Sequence, residues 1–130
     1  MGKRFLIDTN ILIYYLNGTA PTNKEVETAL LDNNFVISSI TFTEILSWKS
    51  LSEDDIQLIT KRFSSIEIIS PDREISIEAA KIRRYHFVKL ADALIAASAI
   101  HLNLPLVTND LTDFKQIKEL QTIYPNQIIF

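Results

Sequence analysis

Residues Leu90–Phe114 read LADALIAASAIHLNLPLVTNDLTDF. Positions 90–102 are helix formers, apolar on nearly every face, with Asp92, Ser98 and His101 as the polar exceptions. A helix that is apolar all round belongs in a core. An unpaired carboxylate buried there must either be neutralised or stay protonated, both at a cost. Asp92 therefore needs a partner: a helix N-terminus, a basic side chain or a metal ion. The chain then turns at Asn103 and Pro105 into a short apolar strand, Leu106-Val107, and runs out into Thr108-Asn109-Asp110, with Asp113 close behind. Three acids thus bracket one helix–strand unit.

On the N-terminal side of this unit, residues 73–85 form a helix capped by Asp72, with Ile75, Ala79 and Ile82 on one face. Its other side carries Lys81 and Arg84, with Arg83 beside them and His86 and Lys89 beyond, the one local basic cluster. A solvated face with cations favoured at a helix C-terminus is the ordinary reading of such a cluster. Further upstream, residues 66–69 read as a strand, and an amphipathic helix runs from Ser52 to Phe63 with Ile56, Ile59 and Phe63 inward and acids in its first turn. Thr41-Phe42-Thr43-Glu44 fits a capping box for a helix over 42–48, with Thr41 as N-cap. Phe35-Val36-Ile37 is a strand, preceded by a turn at Asp32-Asn33-Asn34 and a helix over 23–31 with Val26, Leu30 and Leu31 inward. At the start, residues 4–7 are a buried strand ending at Asp8, and the run Ile11 to Leu16 is a first helix that Asp8 or Thr9 can cap. Downstream, a short helix is expected over 114–120 and an edge strand in the tail, 122–130, around Pro125.

Strands alternating with helices predict an α/β protein with a mainly parallel sheet. In such sheets ligands collect at the carboxyl ends of the strands. Asp8 and Asp110 fall at such ends, and Asp92 and Glu44 fall in first turns of helices that follow loops. One rim can therefore gather four carboxylates, which repel one another unless cations neutralise them. The chain has no cysteine and only two histidines, so the ion would be a hard one held by oxygen, Mg²⁺ or Mn²⁺. A hard divalent site on an acidic rim is the usual apparatus for phosphodiester hydrolysis.

Composition bounds these readings. The 130 residues, 47% hydrophobic, predict one compact domain over 1–130. Two glycines and no low-complexity segment leave no linker or repeat. No apolar run is long enough to span a membrane, MGKRFLID lacks the features of a signal peptide, and Leu6 stands where a myristoylation signal wants Ser or Thr. Absence of cysteine removes disulfides and thiolate metal sites, and a cytoplasmic setting is expected. The net charge of −3 and pI near 5.3 are opposite to those of a protein with a broad basic face. A polyanionic substrate would have to be held by local cations, from side chains or bound ions.

FLIDTNILIYYL, ISSITFTEIL and KLADALIAASAIHLNLPLVTNDLTDF together resemble the PIN domain family, and more narrowly its VapC-type ribonuclease toxins of toxin–antitoxin pairs. Each motif alone is weak, but in this order they span essentially the whole chain. The resemblance implies a three-layer α/β/α domain around a mainly parallel sheet. It implies a Mg²⁺ or Mn²⁺ site from Asp8, Glu44, Asp92 and a fourth acid, with Asn10 and Thr108 positioning ligands and waters. Some members read T-x-D at the fourth acid and others T-x-N-x-x-D-F; this chain offers both Asp110 and Asp113, with Asp110 favoured and Asp113 contributing. The segment 83–90 lacks the glycine often found there. The resemblance also implies an RNA substrate, a small antitoxin partner docking on the first helix or the 52–63 helix, and a homodimer. Lys81, Arg83, Arg84 and Lys89 are the candidate RNA contacts. Two other classes compete with a metal-dependent endoribonuclease. One is a phosphatase or phosphotransferase using Asp8 as nucleophile, which commonly wants a second aspartate where Asn10 stands. The other is a non-catalytic interaction module whose acids are helix caps.

Overall fold

The computed structural model describes residues 4–17, 24, 27, 28 and 34–127. At its centre is β1 (Phe5–Ile7), three consecutive buried apolar residues. A strand covered on both faces reads as an unbroken apolar run, the mark of a parallel sheet between helices. β1 lies between β2 (Phe35–Ser38) and β4 (Leu106–Val107), with β3 (Glu67–Ile69) outside β2 and β5 (Thr122–Ile123) outside β4. The order is β3-β2-β1-β4-β5, and every pairing is parallel.

Strand alternation divides the core into two layers. Leu6, Val36 and Leu106 face one side, where they meet Ile75, Ala79 and Ile82 of α4 (Arg73–Tyr85) and the alanine-rich α5 (Leu90–Leu102). Phe5, Ile7, Phe35, Ile37 and Val107 face the other, against α1 (Thr9–Asn17), α2 (Ser39–Leu46) and the end of α3 (Glu53–Arg62). The result is the expected α/β/α sandwich. Phe5 and Phe35 are 2% and 1% exposed, and truncating either to alanine would cost about 3–5 kcal/mol.

The apolar helix has the limits its sequence predicts. Ala93, Ala96, Ala97 and Ala99 are fully buried and let α5 approach α4 closely, in one core cluster with Leu6, Val36 and Leu106 of the sheet. It stops at Asn103, the one non-glycine residue with positive φ (55°) among the described residues. There the Leu104 N–H bonds back to the Ala99 carbonyl at 2.9 Å, closing the helix with a left-handed cap that Asn tolerates. No helix among the described residues is long and apolar enough to cross a membrane.

Four local expectations need correction. The cap of α2 is Ser38, whose Oγ accepts from the Ile40 N–H at 3.1 Å, and Thr41 is buried inside the helix. β2 runs one residue further than its apolar letters, so a hydroxyl at the strand's end reaches the helix start before Thr41 can. Glu44 therefore lies in the second turn of α2, not the first. The short helix α6 spans Leu111–Phe114, ending where it was expected to begin, because Asp110 caps it. The edge strand is Thr122–Ile123, and Pro125–Gln127 form a 3-10 turn, since Pro cannot donate to a ladder. Most of the helix expected over 23–31 lies outside the described residues.

Candidate metal and active site

The parallel register builds the site. Ile7 pairs with Val107 on adjacent strands, so the next residues, Asp8 and Thr108, emerge side by side. β1 is also where the chain's path across the sheet reverses, toward β2 and β3 on one side and β4 and β5 on the other. Ligands in open α/β sheets bind at such a switch point, beyond the strands' carboxyl ends.

Thr108 is fully buried. Its hydroxyl donates to Asp8 Oδ2 at 2.9 Å and accepts from the Asp110 N–H at 2.9 Å. Both roles of one hydroxyl are thereby used, and its proton is directed at the carboxylate. Asp110 Oδ1 in turn accepts from the Asp113 N–H at 3.3 Å, capping α6. On the other flank, Thr9 Oγ1 donates to Glu44 Oε1 at 2.6 Å and lies 2.9 Å from Thr41 Oγ1. Thr9 and Thr41, both buried, thus position Glu44. In the sequence alone each passes as a helix cap. The spacing of Thr41 and Glu44, three apart on one helical face, was the available signal, although a capping box gives the same spacing.

The electrostatics show how crowded the acids are. Asp8 is 3% exposed, and its pKa rises from the ordinary 3.8 to about 6. Burial is the main cause, and the charges of Asp92 and Asp110 add to it; the Thr108 hydroxyl and the Thr9 N–H oppose it. Asp92, half-buried in the first turn of α5, is also pushed up, first by burial and then by Asp113, Glu44 and Asp110. Asp113 is raised chiefly by its hydrogen bond and charge coupling with Asp110. Lys89 is the cation that opposes the rise at both Asp92 and Asp113. Asp8, Glu44, Asp92, Asp110 and Asp113 therefore share one field with too little positive charge.

This donor set fits a hard divalent cation in its chemistry. It is all oxygen, it is buried at Asp8, and it carries repulsion that an ion would relieve. No three Asp, Glu or His side chains among the described residues stand close enough round one point to form a ready-made cage.

The remaining expected residues are placed less closely. Asn10 is exposed in the first turn of α1. Arg83, Arg84 and Lys89 line a cavity of about 710 Å³ together with His86, Phe87, Val88 and Asp113, so these cations reach the acidic rim. Lys81, exposed on α4, is not among its lining residues.

Comparison with known proteins agrees with this architecture. A family model described as PIN domain matches residues 5–120. Ribonuclease VapC2 of Rickettsia felis is 30% identical over 125 residues, covering 89% of this chain and 93% of the relative. A toxin-antitoxin complex from Klebsiella pneumoniae superposes with a TM-score of 0.76 at 30% identity, over 93% of this chain and 97% of that one. The DNA-bound VapBC structure from Salmonella typhimurium gives a TM-score of 0.79 at 27% identity, over 96% and 99%. Family model, sequence relative and superposed structures converge: the chain belongs to the PIN domain family, among its VapC members.

Proposed function

We propose that the protein is a Mg²⁺- or Mn²⁺-dependent endoribonuclease, the toxin of a toxin–antitoxin pair. The observation that carries this reading is the buried, repelling carboxylate group at the switch point between β1 and β4. Asp8, Asp92, Asp110 and Asp113 would hold the ion, with Glu44 beside them. A bound divalent ion supplies an activated water and offsets charge at the scissile phosphate. The chain's own residues prepare that chemistry. Thr108 holds Asp8 in one orientation, Thr9 and Thr41 hold Glu44, and the first turn of α5 presents Asp92 with the helix N-terminus behind it.

The test is RNA cleavage by purified protein with Mg²⁺ or Mn²⁺ and with EDTA. EDTA should abolish cutting, and Asp92→Asn should lower the rate by orders of magnitude while leaving the fold intact. Undiminished cutting by Asp92→Asn would sink the assignment. The phosphotransferase alternative loses its footing with family membership over residues 5–120.

The partner reading also has a place on the surface. A groove of about 790 Å³ lies between α1, α2 and α3, lined by Ile13, Leu16, Ile45, Trp48, Leu58 and Ile59. Leu58 is 66% exposed and Trp48 39%. An amphipathic helix from a small antitoxin would lay its apolar face here, as helix-in-groove partners do. Leu58→Asp should abolish capture of the antitoxin encoded beside the toxin while leaving cleavage of RNA intact; unchanged capture would move the interface elsewhere. Self-association into a dimer belongs to the same reading, and sedimentation of the isolated protein tests it.

A further inference from the structure

The loop between α4 and α5 carries an aromatic ring with no cover. Phe87 is 98% exposed and Tyr85, the last residue of α4, is 73% exposed. The loop is nonetheless held. His86 is extended (φ −136°, ψ 151°), the chain turns tightly at Phe87, and Val88 packs against the core while Phe87 stays exposed. The Val88 N–H bonds to the His86 carbonyl at 3.2 Å, and the Val88 carbonyl accepts from Arg83 Nε at 3.4 Å. The ring is therefore presented by an anchored backbone, and a contact made there would not have to order the loop first.

What surrounds the ring selects its occupant. Phe87 lines one cavity with Arg83, Arg84 and Lys89, and the same cavity is lined by Asp113, a member of the acidic rim. Cations flanking an exposed aromatic, in a groove leading to carboxylates, match an anion that also carries a flat apolar face. Single-stranded RNA has both: phosphates for the cations and unstacked bases for the ring. A duplex offers the phosphates without a free base face.

We propose that Phe87 is a stacking platform for one nucleobase of single-stranded RNA, with Arg84 and Lys89 holding the adjoining phosphates on the way to the acidic rim. This rests on the ribonuclease reading and adds a positioning residue to it.

The test measures binding of a short single-stranded RNA in EDTA, where no cutting occurs, across a salt series. Phe87→Ala should weaken binding by about five- to 150-fold, the range seen when one base–aromatic stack is removed. The salt slope should stay parallel to wild type, because stacking releases no counterions, whereas Arg84→Ala should make it shallower. Phe87→Trp should restore affinity, and duplex RNA should bind both Phe87 variants as it binds wild type. An RNA with one abasic position should lose affinity for wild type but not for Phe87→Ala. Equal affinity of wild type and Phe87→Ala overturns the proposal. So does conversion of a dimer to a monomer by Phe87→Ala in sedimentation, which would place the ring in a subunit interface. If wild type itself neither binds nor cuts RNA, the ribonuclease reading fails and the platform with it; if wild type cuts and Phe87→Ala binds normally, only the platform fails.

Discussion

Replacing Asp8 by Asn should stabilise the metal-free protein at neutral pH, although Asp8 is central to the proposed site. The magnitude follows from the carboxylate's surroundings. Its pKa stands at about 6 against an ordinary 3.8, chiefly through burial and then through repulsion by Asp92 and Asp110. Each pKa unit is worth about 1.4 kcal/mol, so the ionised group costs the metal-free fold about 3 kcal/mol above pH 6. The sign is set by the raised value: well below pH 3.8 Asp8 is protonated in folded and unfolded chains alike and the cost is absent, and it grows between pH 3.8 and about 6 and is full above that. Asn removes that cost but makes a poorer bond with Thr108, a loss of about 1 kcal/mol. The variant should therefore gain about 2 kcal/mol at pH 7.5 and lose about 1 kcal/mol at about pH 3. Urea unfolding in EDTA reads both values, the first as a midpoint shift of about 1 M. Saturating Mg²⁺ should reverse the order at pH 7.5, because about a hundredfold excess over Kd adds about 2.7 kcal/mol to wild type alone. Destabilisation of Asp8→Asn by the same amount at both pH values would refute the reasoning, since the carboxylate would then carry no electrostatic penalty.

Thr108→Val should cost about 1–3 kcal/mol, because the half-buried Asp110 N–H and the buried Asp8 carboxylate both lose their partner. It should also move the acidic limb of the pH–rate profile to higher pH, since Asp8 loses the donor that favours its ionised form; an unmoved limb would show that Asp8 does not govern it. Arg84→Ala should weaken RNA binding across sequences and flatten its salt dependence without changing cleavage-site choice. Unchanged affinity and slope would make the cluster on α4 a solvated face only.

The residues that stood out in the sequence were those in conflict with their surroundings. Asp92 was conspicuous because a carboxylate has no ordinary business in a helix whose remaining faces bury Ala93, Ile95 and Ala96. The limits of α4 and α5 were legible for a related reason, since apolar periodicity, Asp72 and Asn103 punctuate them unambiguously. Thr9 and Thr41 were misread because a hydroxyl near a helix start is an adequate cap in isolation, and Ser38, which is the cap, lies where the apolar letters of β2 have already ended. Which one caps depends on where β2 ends, and what the others bond depends on β1 and β2 lying side by side. The same holds for Asp110, whose carboxylate caps α6 while lying in the field of the other acids. Phe87 gave no signal at all. A lone Phe in a string of polar and basic letters is as easily inward as outward, and only the tight turn at this position, with Val88 taking the inward place, decides it.

The central claim is that the carboxylates at the ends of β1 and β4 seat a catalytic divalent ion. Crystals soaked in Mn²⁺ test it most directly through the anomalous signal of the ion. A peak bonded to Asp8 and Asp92 and to Asp110 or Asp113 is expected, with no such peak in Asp92→Asn. A Mn²⁺ peak elsewhere on the surface with none at this rim, in protein that cuts RNA, would contradict it.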